Sequence, residues 1–286
     1  MSVIGIAAEY NPFHNGHALH IARARSLLND APSGNAPGGD IPVAAVLSSG
    51  FTQRGLPALA DKWARARMAL LNGADLVLEL PFAWACNGGR EFARGAVDIL
   101  AGTGFVTHLS FGAETPAAFE SRAAETILHI LIPEPPSFKL RLRENLASGW
   151  AYPRAFADAL DRELPGSGKT FSLPNNALAF SYLLRVREGR YGLIPLPVGR
   201  EGPGHAEGGR ALEGAMPPRG AEPPLASAAT IREAIAKGNG RWDEGIGRTM
   251  PASSRSGLEE ERERGRLCVG TERLWTLVRA LLARSS

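Results

Sequence analysis

Two histidines near the start of this 286-residue chain have the types and spacing that phosphate chemistry needs. His14 and His17 are three positions apart, with Gly16 between them. Imidazole N–H groups at this spacing can donate to one point, and such donors stabilise the charge that grows on phosphoryl oxygens during displacement at a nucleotide α-phosphate. Gly16 has no Cβ, so a ligand can approach the backbone closely. The pattern predicts catalytic roles for both histidines.

The histidines lie between a predicted strand and a predicted helix. Residues 3–8 form a short uncharged run, which indicates a buried strand, and apolar residues from Leu19 to Leu28 recur at helical spacing. Asn11-Pro12 marks the turn between them. A helix start offers free backbone N–H groups and the positive end of the helix dipole, which favour an anion. A metal site and a purely structural role are the alternatives, but no cysteine or third ligand lies nearby.

The same alternation of strands and helices continues along the chain. Further strands are predicted at residues 43–47, 76–81, 109–112 and 193–198, with helical patterns between them. This order predicts an α/β fold with a doubly wound parallel sheet, followed by a helical C-terminal addition. Ligands of such sheets bind at the carboxyl ends of the strands. We therefore expect the histidine loop and the Ser48–Gly50 loop to meet at that edge.

Composition sets only broad limits. The formal net charge of +3 is compatible with RNA binding without requiring it. Cys86 and Cys268 lie far apart in sequence, which favours a reducing compartment and no disulfide framework. The sequence shows no secretory signal and no uninterrupted apolar stretch of membrane-spanning length. It therefore predicts a cytoplasmic protein without a membrane segment.

The string from Glu9 to His17 resembles the HxGH signature of HIGH-motif nucleotidyltransferases. It looks in particular like the bacterial tRNA(Met) cytidine acetate ligase family. The ligase family is matched also by Phe51–Gly55 and Pro174-Asn175-Asn176. The segment that ends at Arg232 resembles the Ser-x-x-x-Ile-Arg motif of HIGH-motif nucleotidyltransferases. The match predicts a catalytic domain over residues 1–238, interrupted by a mobile loop at about 202–224, and a short helical segment over 239–286.

The resemblance implies an ATP site that draws on residues from most of the chain. Arg54 and Lys62 are candidates for contacts to phosphate, the tRNA backbone or a carboxylate, with solvated surface charge as the alternative. Mg²⁺ is compatible with this chemistry as the counterion of ATP, although no protein ligand set for a metal is visible. The implied ATP-binding residues are Ala7, Ala8, Glu9, Tyr10, Asn11, Pro12, Phe13, His14, Asn15, Gly16, His17, His20, Gly112, Asn175, Arg200, Ser227 and Arg232.

The activity implied by the resemblance is ATP-dependent acetylation of N4 of the wobble cytidine in elongator tRNA(Met), through acetyl-adenylate. The chain departs from the family at Ser48-Ser49-Gly50, where the family reads Ser-Gly-Asn, and around His205, where a Tyr-His-Asp run is expected. It resembles a short member, for which weak or salt-sensitive tRNA acetylation is expected. The alternatives are an adenylyltransferase acting on a small phosphorylated acceptor and an inactive RNA- or nucleotide-binding module.

Two further features carry predictions. Residues 165–170 resemble a P-loop, but residue 163, where the motif needs glycine, is Glu163. A predicted helix rather than a strand also precedes the segment. Lys169 is therefore expected to lie in a surface loop without a phosphate. The last predicted helix, within residues 259–286, carries an apolar stripe that must pack on the main domain or on another subunit.

Overall fold

The computed structural model describes residues 1–29, 40–120, 122–200, 224–270 and 272–284, arranged in two compact units. The first unit comprises residues 1–7, 23–44 and 88–200, and the second comprises residues 8–22, 45–87 and 201–286. The predicted boundary near residue 238 falls inside the second unit and stays a prediction. The predicted mobile loop at 202–224, with His205, lies outside the described residues except for Pro224.

Five strands form one parallel sheet in the order β3-β2-β1-β4-β5, so the predicted doubly wound α/β fold is confirmed. In register, Ile4 of β1 pairs with His108 of β4, which pairs with Ile194 of β5. All six residues of β2 are buried, as expected for an uncharged strand inside a parallel sheet. The strands are β1 Ile4–Ala8, β2 Val43–Ser48, β3 Leu76–Leu80, β4 His108–Ala113 and β5 Ile194–Gly199.

Helices connect the strands, and further helices follow the last strand. In the first unit α10 packs against α4 and β4, and in the second unit α13 packs against α2. The helices are α1 Asn15–Asn29, α2 Lys62–Leu71, α3 Phe82–Ala85, α4 Gly89–Gly102, α5 Ala117–Glu120, α6 Arg122–Leu131, α7 Pro136–Ala147, α8 Tyr152–Glu163, α9 Ser167–Ser172, α10 Pro174–Glu188, α11 Ala228–Lys237, α12 Glu244–Arg248, α13 Ala252–Glu263 and α14 Glu272–Arg284.

The C-terminal region differs from its prediction in one respect. The single helix expected within residues 259–286 is two helices, α13 and α14, because Gly265 adopts a φ of +67° that ends the first of them. The apolar stripe lies on α14, where Trp275 is 55% exposed and Leu281 is 64% exposed. Among the described residues, none of the helices has the length and apolar character needed to cross a membrane.

Candidate functional site

The loop between β1 and α1 is built around buried aromatic rings. Ala7 and Ala8 end β1, and the chain then turns at Tyr10, whose φ is +43°. Tyr10 and Phe13 are almost fully buried, and their ring centroids lie 4.8 Å and 5.4 Å from that of His17. Burial raises the pKa of the Tyr10 hydroxyl well above its ordinary value. These two side chains therefore act as a support for the imidazole of His17.

His14 and His17 form a stacked pair, with ring centroids 3.7 Å apart. His14 Nδ1 accepts a hydrogen bond from the Gly16 amide at 3.1 Å, and His17 Nδ1 accepts one from the His14 amide at 3.2 Å. A ring nitrogen that accepts from an N–H carries no proton, so the proton of each neutral imidazole is on Nε2. The local backbone thus selects one tautomer, in which both rings are Nε2–H donors.

Gly16 has a structural role that the sequence did not indicate. A Cβ at this position would lie 2.9 Å from Cε1 of the His14 ring, which is closer than real contacts allow. The missing side chain therefore makes room for the imidazole of His14. The approach of a ligand to this backbone stays a prediction.

The backbone donors at the start of α1 are also used within the protein. The Asn15 amide donates to the Thr249 carbonyl at 2.9 Å, and the Gly16 amide donates to the His14 ring. The His17 and Ala18 amides both donate to the His14 carbonyl. The expectation of free N–H groups at this helix start is therefore not met, and the dipole and the imidazoles are the features that favour an anion.

The Ser-x-x-x-Ile-Arg motif, which only the family resemblance assigned to this site, contacts the histidine loop through Arg232. Ser227 Oγ accepts from the Thr230 amide and caps α11, which places Arg232 on the first turns of that helix. Arg232 Nη1 donates to the Asn11 carbonyl at 2.6 Å. Desolvation lowers the pKa of Arg232, and the negative charge of Glu9 partly opposes this change.

Asn15 attaches the loop to the same C-terminal segment. Its side chain is buried, and Nδ2 donates to the carbonyls of Arg248 at 2.8 Å and Pro224 at 3.0 Å. Both amide hydrogens are therefore used within the protein. His20, another predicted ATP contact, lies about one turn further along α1 and is half-buried.

Arg65 belongs to this site although the sequence pattern did not single it out. It lies on α2, is fully buried, and donates to oxygens at the ends of two strands. Nη1 lies 2.6 Å from the Glu9 carbonyl, and Nη2 donates to the carbonyls of Ser48, at 3.0 Å, and Ser49. Nε donates to the Ala60 carbonyl at 3.1 Å. A charged residue on a short helix resembles surface charge in the sequence, so no local signal identifies this role.

The Ser48–Gly50 loop lies beside the Glu9 segment. The Glu9 carboxylate accepts a hydrogen bond from the Gln53 amide at 2.6 Å, which fixes the turn that follows. Gly50 is exposed, and a Cβ there would meet nothing within 4 Å. The position at which the family carries asparagine therefore has room for that side chain.

The two predicted cationic contacts differ in their surroundings. Arg54 is exposed in the turn after β2. Lys62 Nζ lies 2.6 Å from Glu79 Oε2, and both side chains are substantially exposed. An exposed ion pair of this kind contributes little to stability. The surface-charge interpretation therefore accounts for the geometry of Lys62, and a contact with phosphate or tRNA stays a prediction for both residues.

A separate cluster in the first unit brings together the three other predicted ATP contacts. Arg200 Nη1 donates to Asn175 Oδ1 at 2.6 Å, and the aliphatic part of Arg200 crosses Gly112, where a Cβ would lie 3.2 Å from Cγ. Glu114 accepts from Asn175 Nδ2 at 2.6 Å and from the Asn176 amide at 2.8 Å. Burial raises the pKa of the Glu114 carboxyl, but these hydrogen bonds outweigh it and bring the pKa below its ordinary value.

The cluster around Glu114 also explains why a Pro-Asn-Asn sequence begins α10. The carboxylate of Glu114 receives the first amides of the helix, and Asn176 Oδ1 in turn accepts from the Glu114 amide at 3.0 Å. This reciprocal arrangement satisfies donors that a helix start leaves unpaired. Throughout the described parts of the chain, by contrast, no three His, Cys, Asp or Glu side chains are grouped so that they could hold a metal ion.

A parallel sheet whose first strand leads into a stacked His-x-Gly-His pair at a helix start defines an α/β protein of the HIGH-motif class. Residues 1–286 match the family model described as "HIGH Nucleotidyl Transferase". The chain belongs to this family, and the resemblance noted in the sequence is confirmed.

The most similar relatives include tRNA(Met) cytidine acetate ligases. The protein of that name from Syntrophomonas wolfei is 37% identical over 279 residues, which cover 96% of this chain and 60% of the relative. The one from Acetivibrio thermocellus is 35% identical over 286 residues, covering 99% of this chain and 63% of the relative. The chain thus spans about 60% of the length of these curated relatives.

Two solved structures of a related protein share the fold. The crystal structure of Thermotoga maritima TmcAL bound with alpha-thio ATP matches with a TM-score of 0.75 and 30% identity, covering 93% of this chain and 57% of that one. The apo form of the same protein matches with a TM-score of 0.74 and 31% identity. Each match covers 93% of this chain.

Proposed function

We propose that this chain is an ATP-dependent ligase that activates acetate and acetylates N4 of the wobble cytidine of elongator tRNA(Met). One observation supports this function above the others. The stacked His14–His17 pair, with both Nδ1 atoms held by backbone amides, occurs in a chain that is similar over nearly its whole length to tRNA(Met) cytidine acetate ligases. The similarity to a protein solved with an ATP analogue supports ATP as the nucleotide.

The chemistry assigned to the histidines is charge stabilisation. An acetate oxygen attacks the α-phosphorus of ATP, the bond to the β-phosphate oxygen breaks, and pyrophosphate leaves. Acetate is already ionised near neutral pH, so this step needs no general base. The Nε2–H groups of His14 and His17 would donate to the phosphoryl oxygens as negative charge grows on them. The N4 amine of cytidine then attacks the acetyl carbon, and AMP leaves.

The proposed ATP contacts form two groups. The loop from Ala7 to His20, with Ser227 and Arg232, is one proposed ATP contact surface. Gly112, Asn175 and Arg200 form the second proposed set of ATP contacts. Mg²⁺ would arrive with the phosphates of ATP, because the described residues contain no ready-made group of metal ligands. A tRNA substrate is consistent with action in the cytoplasm.

The loop after β2 favours a second candidate. Ser49-Gly50 replaces the Gly-Asn of the family, so an amide near the substrate is absent. An adenylyltransferase with the same ATP site, acting on a small phosphorylated acceptor, would not need that amide. A module that binds nucleotide or RNA without catalysis is the non-enzymatic form of the same alternative.

Two assays test the proposal. ATP–pyrophosphate exchange that depends on acetate is expected, together with N4-acetylcytidine in elongator tRNA(Met) incubated with acetate and ATP. Contacts to phosphates contribute much of RNA affinity, so tRNA binding should weaken steeply between low and moderate salt. Exchange that requires a phosphorylated small molecule would favour the adenylyltransferase. Binding of ATP without exchange for any acid would favour the inactive module.

A further inference from the structure

Arg65 is a buried cation that the proposed chemistry does not use. Its side chain is fully inaccessible to solvent, and no ion pair joins it to an acid among the residues that the structure describes. Desolvation lowers its pKa to about 10, and the nearby charges of Glu9 and Asp61 only partly oppose this. Burying an arginine without a paired acid is costly, and apolar residues of similar volume generally stabilise a core at least as well. Stability alone therefore explains this residue poorly.

The partners of Arg65 point to a different role. Four of its five acceptors are backbone carbonyls, and three of those belong to Glu9, Ser48 and Ser49, where β1 and β2 end. The fifth acceptor is the hydroxyl of Ser48, 3.3 Å from Nη1. A planar guanidinium has five donors in a fixed fork, so it can hold several carbonyls in one geometry, whereas an ammonium group cannot.

The position of Arg65 on α2 is itself fixed. Asp61 Oδ1 accepts from the Ala64 amide and caps the helix, and the Arg65 amide donates to the Asp61 carbonyl. Nε is anchored to the Ala60 carbonyl at the same helix start. The guanidinium is therefore held from one side by a capped helix and contacts the two strand ends with its other nitrogens.

The segments that Arg65 joins carry the proposed chemistry. Glu9 begins the loop that ends in the stacked histidines, and Ser48–Gly50 is the loop whose sequence departs from the family. Within the second unit, the Glu9 carboxylate also accepts from the Gln53 amide, so the two segments are joined at a second point. We propose that Arg65 is a positioning residue that fixes the histidine loop against the Ser48–Gly50 loop and so sets the geometry of the His14–His17 pair.

The test compares Arg65→Lys with Arg185→Lys. Arg185 is a mostly buried arginine of the first unit whose guanidinium donates to Asp98 and Tyr191. Two measurements are made on folded protein. Long-range ¹H–¹⁵N spectra of the histidine rings report which nitrogen carries the proton, and acetate-dependent pyrophosphate exchange reports kcat and the KM for ATP.

Arg65→Lys should keep the fold, alter the ring signals of His14 and His17, and lower kcat about 10²-fold, the scale of a displacement of about 1 Å at a reacting group. The KM for ATP should change by less than about threefold. Arg185→Lys should match the wild type in both measurements. A folded Arg65→Lys protein with wild-type ring spectra and wild-type exchange would overturn the proposal.

Arg65→Gln is the second variant, because a neutral amide can still donate to a carbonyl and needs no buried charge. If neither variant folds, Arg65 is required for folding itself and the positioning role is wrong. The catalytic part of this inference rests on the proposed function, but the ring spectra do not. A wild-type protein without exchange would contradict the proposed function, while altered histidine signals in the Arg65 variants would still support the positioning role.

Discussion

The starts of α1 and α10 show two ways of completing a helix N-terminus. At α1 the donors are satisfied by a histidine ring and by backbone carbonyls of the described residues. At α10 the carboxylate of Glu114 accepts from the amides of Asn175 and Asn176. The backbone amides at both helix starts have acceptors, but the start of α10 already contains a negative charge.

The start of α1 can attract an anion, whereas the start of α10 already has one, the Glu114 carboxylate. The dipole of α1 favours negative charge at the end of β1, beside His14 and His17. At α10 the dipole is compensated by Glu114, and Asn175 is held between Glu114 and Arg200. We therefore expect variants at α1 to change turnover and variants at α10 to change stability first.

Loss of either histidine is expected to have the largest effect. His14→Ala or His17→Ala should lower the turnover of acetate-dependent pyrophosphate exchange by about 10²-fold or more, as for a lost oxyanion donor, with a smaller change in ATP affinity. Exchange kinetics and ATP titration measure the two quantities. His129→Ala, at an exposed position of α6, is the matched control and should behave as wild type. Wild-type turnover in either histidine variant would contradict the expected difference between the two helix starts.

Glu114→Gln should act on stability. Removing the charge weakens the cap of α10, and we expect a loss of about 0.5 to 1 kcal/mol at pH 7, kept small because the carboxylate is only half-buried. The folded-state pKa of Glu114 is lowered, so its contribution is present above the ordinary value of 4.5 and is lost as pH falls through the folded pKa. Urea denaturation at pH 7 and pH 4 should show the difference from wild type shrinking at the lower pH.

The control for Glu114 is Glu125→Gln. Glu125 forms an exposed ion pair with Arg187, so its removal should change stability very little at either pH. A Glu114 variant as stable as this control would mean that the carboxylate does not complete α10. In that case the two helix starts would differ less than their hydrogen bonds indicate.

The sequence predicted those features of the site that are local in the chain. The strand, the turn at Asn11-Pro12 and the helix that begins beside His14 follow from hydrophobic pattern and turn residues. The motif that ends at Arg232 was placed at the site only by family resemblance, and its contact with Asn11 joins residues 221 positions apart. Local pattern contains no information about such a distance.

The features that were missed depend on tertiary contacts. Arg65 is 56 positions from Glu9, and a single arginine on an amphipathic helix has no pattern that distinguishes burial from exposure. The structural role of Gly16 was missed because the group that needs the space is a side chain two residues away, in a rotamer that the sequence does not specify. In both cases the sequence gives the residue type but does not identify the group that it contacts.

Gly50→Asn should have a moderate effect, and it tests the loop that Arg65 holds. The site has open space and a backbone conformation that does not require glycine, so the amide can be added without strain. If this amide contacts the substrate, kcat/KM for acetate should rise a few-fold, the scale of one added hydrogen bond. Gly192→Asn, at another open glycine, is the control and should leave exchange unchanged. No gain at residue 50 would instead favour the adenylyltransferase.

Lys169→Ala should have the smallest effect, because its helix start resembles that of α10 rather than that of α1. Lys169 is exposed as expected, but it lies on the helix α9, so the predicted surface loop is wrong there. This helix follows α8 through Gly166 rather than through a strand. The amides of Gly166 and Gly168, which a phosphate loop would aim at its ligand, both donate to Asp161 Oδ1 at 2.9 Å. A phosphate there would meet the charge of that carboxylate, so ATP affinity measured by titration should be unchanged. A tenfold rise in the dissociation constant of ATP would indicate that a phosphate binds at α9. It would also show that an acidic side chain at a helix start does not prevent phosphate binding there.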